Sequence, residues 1–330
     1  MTDTVVRSSA RSNRSILQAL LVTFLWASSW VLIKIGLRAS LPPLTFAGLR
    51  YSLAFLVLLP FVLSNPIHRR SIATLSPRAW AALALLGVTL YTLTQGAQFV
   101  GLNLLPAATL TLLLSFTSVA VALLSGRLNR EPTSAAQWGG TLVSVAGALV
   151  YFYPLAISTG QVLGLAVGLF GMLSNAVASL LGRRINRASR LSPLVITTVS
   201  MGLGGGLLLG IGALTQGFGE LGPRQWVIIA WLAIINTAFA FTLWNYTLRT
   251  LTAVESSVIN NTMLPQIAIL AWVFLGEPLD ARQIAGLALV AVGTLIVQLW
   301  RPGVRPDDGQ LPDTAKGGEP AAHPPSLKEK

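Results

Sequence analysis

The sequence predicts an all-α membrane protein: ten transmembrane helices arranged as two inverted five-helix repeats. Three observations predict it. Of the 330 residues only 10% are charged and 53% are hydrophobic, with a mean hydropathy of +0.68, whereas a soluble domain carries about 25% charge. The apolar residues fall in runs of roughly the 20 residues that a bilayer-crossing helix requires. The punctuation between those runs recurs at an interval of 146 residues.

Taken in order, the spans are expected at 16–36, 44–63, 79–99, 105–125, 134–153, 161–181, 193–214, 225–246, 252–275 and 281–300. The basic residues Arg7, Arg11 and Arg14 lead straight into the first run, and no small-residue cleavage site follows it. The first span is therefore read as an uncleaved signal anchor. Prolines mark the ends of the other runs: Pro42-Pro43, Asn65-Pro66, Ser76-Pro77, Pro106, Glu131-Pro132, Pro154, Ser192-Pro193, Gly222-Pro223 and Glu277-Pro278. Past Arg301 the chain is rich in Pro, Gly, Asp, Glu and Lys, a composition that cannot bury a core and reads as disordered. This divides the chain into a cytoplasmic N-terminal tail (1–15), a first five-helix repeat (16–153), a second (154–300) and a disordered cytoplasmic C-terminal tail (301–330).

Orientation follows from Lys and Arg placement. With the N-terminus inside, 18 of the 23 basic residues fall in cytoplasmic segments, against Arg38, Arg224 and Arg282 on the other side. That bias predicts a protein of the cell inner (plasma) membrane with both termini cytoplasmic, which also requires an even number of spans.

Shifting the chain by 146 residues superposes Gly36 on Gly182, Pro77 on Pro223 and Trp80 on Trp226. It also superposes Glu131-Pro132 on Glu277-Pro278, Gln137 on Gln283, Gly140 on Gly286 and Gly147 on Gly293. Pro43-Leu44 meets Pro193-Leu194 after a slip of four residues. Five spans per repeat force the halves into opposite orientations.

Polar side chains at membrane depth are costly unless they face a cavity or a partner. The third span carries Tyr91, Gln95 and Gln98 on one face. The eighth carries Asn236, Thr237, Trp244 and Asn245; the ninth carries Asn261, Thr262 and Gln266, with Pro265 expected to free a carbonyl in mid-span. Ser115 and Asn175 add to these, and Trp26, Trp30 and Lys34 form a stripe of spacing four. Together these groups describe a neutral polar cavity suited to a zwitterion or polyol, although single Ser and Thr residues serve equally as interhelical bonds. Lys34, Arg50 and Glu255 are the candidates for gating or charge pairing. Lys34 is open to two readings, a carboxylate-binding or gating group and an interfacial snorkelling side chain; Arg50 has the same two. Glu277 and Glu131, at span ends, read as capping or interfacial-pairing groups.

There is no cysteine, and His68 and His323 lie outside the spans, so no metal or cofactor is expected. No catalytic set of residues and no phosphate-binding glycine loop is present, which argues against a membrane enzyme. The net charge of +12 is topological rather than a nucleic-acid footprint. The implied partners are a small-molecule substrate and the lipid bilayer. Two halves can enclose a complete path in one chain, so a monomer is expected, with a dimer left open.

The chain resembles the drug/metabolite transporter superfamily, in its EamA-type ten-helix branch. The resemblance rests on Trp26-Ala-Ser-Ser-Trp30 with Lys34, on Leu41-Pro42-Pro43-Leu44-Thr45-Phe46 followed by Leu49-Arg50-Tyr51, and on Leu275-Gly276-Glu277-Pro278. The first half spaces Gly126 and Glu131 apart where the second has a compact Leu-Gly-Glu. The likeness spans about 16–300 and implies a secondary transporter of small metabolites, most commonly an amino-acid or related exporter. Import of a sugar- or nucleoside-type metabolite and multidrug export stay open.

Overall fold

The computed structural model describes residues 2–117, 119–121, 124, 134–153, 159–188, 191–247, 259–260 and 262–299. Among these residues every regular element is helical. The chain runs through α1 (Thr2–Arg38), α2 (Pro43–Leu63) and a short α3 (Pro66–Ala73). A long rod follows, made of α4 (Pro77–Gly87), a π-helical segment π1 (Val88–Gln95) and α5 (Gly96–Leu104), and then α6 (Ala107–Ser115) and α7 (Ala135–Phe152). The remainder is α8 (Thr159–Ala188), α9 (Pro193–Gln216), a second rod of α10 (Pro223–Ala233), π2 (Ile234–Phe239) and α11 (Ala240–Thr247), then α12 (Met263–Leu275) and α13 (Ala281–Leu299).

Among the described residues, seven stretches are long and apolar enough to cross a bilayer: Arg14–Arg38, Pro43–Leu63, Pro77–Leu104, Ala135–Phe152, Gln161–Asn186, Pro193–Gln216 and Pro223–Trp244. Three apolar helices are shorter: Ala107–Val121, Met263–Leu275 and Ala281–Ile296. Each expected span overlaps one of these. Residues 118, 122–123 and 125 of the fourth and 252–258 and 261 of the ninth lie outside the described residues, as do Glu131 and the 301–330 tail. Large side chains such as Leu142, Leu214, Trp272 and Phe274 stand exposed, which water would penalise and lipid does not. The protein is a multi-pass membrane protein, all-helical among the described residues.

The helix starts follow from local chemistry. Pro43, Pro66, Pro77, Pro193 and Pro223 occupy first turns, where the missing N–H has no partner to lose. Ser76 and Ser192 cap α4 and α9 through Ala79 and Val195. Three features differ from expectation. α1 begins at Thr2, so the predicted N-terminal tail continues the first span as helix. α3 occupies a loop, because Asn65 accepts from Ile67 N at 2.9 Å and starts a helix rather than ending one. Pro265 lies in the first turn of α12, so it costs no mid-span hydrogen bond.

Elements recur at the 146-residue interval. Pro77 and Pro223 start α4 and α10, Val88 and Ile234 start the π segments, and Ala135 and Ala281 start α7 and α13. The Gln137/Gln283 coincidence has a cause. Ser134 and Gln137 close a capping box at α7, and Asp280 and Gln283 exchange the same pair of bonds before α13, at 2.7 and 3.0 Å. The Gln283 N–H holds the Asp280 carboxyl below the usual carboxylate range.

Helices at equivalent positions lie against each other, antiparallel. Gly140 of α7 meets Gly293 of α13 and Gly147 meets Gly286; a Cβ on Gly147 would stand 2.7 Å from Val290 N and 2.8 Å from Gly286 O. α2 and α9 pair likewise: Leu44 N donates to Gln216 Oε1 at 2.9 Å at one end, and Gly205 lies against Tyr51 further along. Where lipid is the solvent, such small-residue contacts let van der Waals packing drive association. The glycines of α9 therefore divide: Gly204, Gly205 and Gly212 pack against neighbours, whereas Gly206 and Gly210 have nothing within 4 Å.

Replacing Gly147 by Leu should overpack the α7–α13 seam and cost about 1–3 kcal/mol, whereas Gly139→Leu, with nothing within 4 Å of its Cβ position, should be near neutral. Melting of the two full-length variants in one detergent checks this; equal losses would contradict the seam.

Candidate functional site

The polar groups of the interior gather where α1, α2 and the first rod meet the second rod. Arg50, on the eighth residue of α2, lies about 10 Å below the start of its helix and is 4% exposed. Its Nε donates to Thr237 Oγ1 at 2.9 Å, and its guanidinium carbon stands 5.2 Å from the centroid of the Tyr51 ring. Tyr51 OH donates to Gln95 Oε1 at 2.7 Å, and the Tyr51 and Tyr91 rings are 5.3 Å apart. Both π segments contribute: Tyr91 and Gln95 come from π1, and Asn236 and Thr237 from π2. An extra residue in a helical turn leaves a carbonyl to be met by a side chain, and Thr94 and Thr237 donate to Thr89 O and Leu232 O, each five residues back, at 2.8 Å.

A second patch adjoins α1. Asn236 Nδ2 donates to Leu25 O and to Ser28 Oγ. Gln266 of α12 donates to Thr23 Oγ1 at 3.3 Å and Thr262 Oγ1 at 3.0 Å. The Trp26 ring packs 5.2 Å from Phe241 and 5.3 Å from Trp244. Three buried polar atoms here have no partner among the described residues: Trp26 Nε1, Asn236 Oδ1 and Gln266 Oε1. Buried polar groups are normally bonded, and here one donor and two acceptors in one region stand without a partner among the described residues.

Lys34 does not snorkel. Its Nζ donates to the carbonyls of Leu102 and Leu105 and lies 3.9 Å from Glu277 Oε1. Glu277 Oε2 in turn accepts from Ala107 N at 2.8 Å. The cation thus meets the carbonyl end of α5 and the carboxylate the N–H end of α6, the placement that helix dipoles favour. Arg38 adds a bond to Leu275 O at 3.1 Å, at the end of α12. This knot ties α1, the α5–α6 turn and α12 together at one end of the bundle. Glu277 also borders a cleft of about 490 Å³ lined by Thr109, Tyr151, Gln161 and Arg282.

The other expected residues are distributed as follows. Trp30 is buried in the main core, 5% exposed, and Gln98 is half-buried on α5 beyond Gln95. Ser115 bonds back to Leu112 O at 2.7 Å, and Asn175 reaches Thr117 at 3.4 Å, an interhelical tie. Asn261 and Glu255 lie outside the described residues, as does the side chain of Asn245. The expected neutral lining is altered by Arg50, which brings a charge into the interior. Ser28 and Phe241 escaped the sequence reading; a lone serine or phenylalanine in an apolar run carries no distinguishing signal.

A model of the EamA-like transporter family matches the chain twice, over residues 13–153 and 162–299. An uncharacterized transporter of Archaeoglobus fulgidus is 28% identical over 86% of this chain and 97% of its own length. The uncharacterized transporter YvbV of Bacillus subtilis is 28% identical, covering 84% and 90%. The S-adenosylmethionine/S-adenosylhomocysteine transporter of Chlamydia trachomatis serovar L2 is 25% identical, covering 83% and 86%. A crystal structure of a protein 17% identical superposes with a TM-score of 0.60 over 85% of this chain and 96% of the other, which shows a shared fold.

The Lys34–Glu277 knot predicts coupling. Lys34→Met and Glu277→Gln should each lower the melting midpoint, and the double variant should lose less than their sum by about 0.5–3 kcal/mol. Strict additivity in detergent denaturation of the full chain would refute the pairing.

Proposed function

The chain belongs to the EamA-like transporter family, and on that premise we propose that it is a secondary transporter of amino acids or related small metabolites, working as an exporter. The architecture we infer is ten spans in two inverted five-helix repeats, placed in the cell inner membrane with both termini cytoplasmic. The double family match and the antiparallel packing of equivalent helices support that reading, and inverted repeats are the plan on which alternating access is built. In this orientation the Lys34–Glu277 knot closes the non-cytoplasmic end, and one chain encloses the path as a monomer.

The observation that carries the proposal is the interior cluster: Arg50, Thr237, Tyr51, Gln95 and Tyr91 beside Trp26, Phe241, Trp244 and the open oxygens of Asn236 and Gln266. Amide and hydroxyl groups with one cation and an aromatic wall suit a zwitterionic headgroup with an apolar side chain. The Chlamydia relative is named for S-adenosylmethionine and S-adenosylhomocysteine, and both molecules carry an amino-acid headgroup.

The test is counterflow. Proteoliposomes loaded with unlabelled threonine, leucine, phenylalanine and S-adenosylmethionine, without an ion gradient, should accumulate at least one labelled counterpart. Empty liposomes should not, and Gln95→Ala should slow uptake roughly tenfold, the worth of one hydrogen bond. Folded protein that moves none of the four labels would overturn the reading.

A further inference from the structure

Among the described residues, Arg50 carries a charge into the bundle without a counter-charge. No described carboxylate lies within ion-pair distance of it, and its Nε donates to Thr237 Oγ1. Nothing described accepts from Nη1 or Nη2. Burying an ion without a charged partner is expensive, and one hydroxyl with the face of its own neighbour Tyr51 offsets that cost only in part.

Helix packing does not require this charge. α2 and α9 start at Pro43 and Pro193, which sets Ser200 opposite Arg50 in the repeat. Ser200 is as deeply buried, 1% exposed, and bonds to Ile196 O of its own helix at 2.6 Å. The second half thus makes the equivalent crossing with a small neutral residue.

The guanidinium is also held in a defined way. Thr237 spends its hydroxyl proton on Leu232 O at 2.8 Å, so its oxygen accepts from Arg50 Nε and fixes one edge of the fork. The remaining edge presents Nη1 and Nη2 as two parallel donors, the geometry that carboxylates fill in bidentate fashion. A phosphate dianion asks for more positive charge than one arginine, and the other interior cation, Lys34, is occupied by two carbonyls and Glu277.

We propose that Arg50 anchors a carboxylate of the transported molecule through Nη1 and Nη2, so that the substrates are carboxylic acids, amino acids or related acids, rather than neutral polyols or organic cations. The assignment rests on reading the interior as the transport path.

The experiment compares acids with their amides. Purified full-length protein in detergent is melted with leucine, leucinamide, 4-methyl-2-oxopentanoate and its amide, S-adenosylmethionine and inorganic phosphate, since a ligand of the folded state raises the midpoint. At least one acid should stabilise the wild type at a concentration tenfold or more below its amide. Arg50→Gln should erase that preference, and Arg50→Lys, which keeps the charge and loses the fork, should keep the preference with weaker binding. Acid and amide acting equally on the wild type, no acid acting at all, phosphate outcompeting every carboxylate, or a preference that survives in Arg50→Gln would each overturn the assignment. If Arg50→Gln does not fold, full wild-type affinity in Arg50→Lys overturns the bidentate anchor by itself. An oxo acid bound through Arg50 while no amino acid moves would remove the amino-acid reading and leave the anchor standing. Amino-acid counterflow that is unchanged in Arg50→Gln would do the reverse.

Discussion

The structure depends on one constraint: in lipid, helices gain nothing by hiding apolar side chains from one another and associate only where their backbones can approach. This chain meets it by setting sequence-equivalent helices antiparallel. Gly140 and Gly147 of α7 meet Gly293 and Gly286 of α13, each glycine facing the repeat counterpart of the other glycine on its own helix. The contact is self-complementary in the way of a two-fold interface, although both surfaces come from one chain. α2 and α9 repeat the device with Gly48 against Leu209 and Gly205 against Tyr51, and that second seam brings Arg50 and Tyr51 to the bundle interior.

With the seams fixed, the two rods supply the polar lining. Their π segments start at residues 88 and 234, and both interrupt an apolar rod where it crosses the interior. The cost of the irregular turn is offset locally, through the Thr94 and Thr237 hydroxyls. The charges divide by role: Lys34 is absorbed by two carbonyls and Glu277 at the end of the bundle, and Arg50 is held on one edge and open on the other.

The apolar runs and their prolines made the spans legible, because hydrophobic length and helix-start chemistry are local properties of the chain. The recurrence of punctuating residues was legible for a similar reason: Gln137 and Gln283 cap helix starts, and Gly147 and Gly293 pack the α7–α13 seam. The site was legible in part. Gln95 and Tyr91 share a helical face and stand out as polar groups in an apolar run, and they do reach the interior. The Lys34–Glu277 pair was not legible as a pair, since its members are 243 residues apart and meet only once the α5–α6 turn is folded between them. The π segments were equally hidden, because no residue type marks a wider turn. Arg50 could be named from sequence, but that no described carboxylate reaches it is a fact of packing.

The central claim is that equivalent segments face opposite sides of the membrane. The chain has no cysteine, so single cysteines can be placed at Thr74 and at Glu220, which lie 146 residues apart in exposed loops. In intact cells an impermeant maleimide should label the cysteine at 220 and reach the one at 74 only after permeabilisation. Labelling of both from the same side would contradict the inverted arrangement and the transport path built on it.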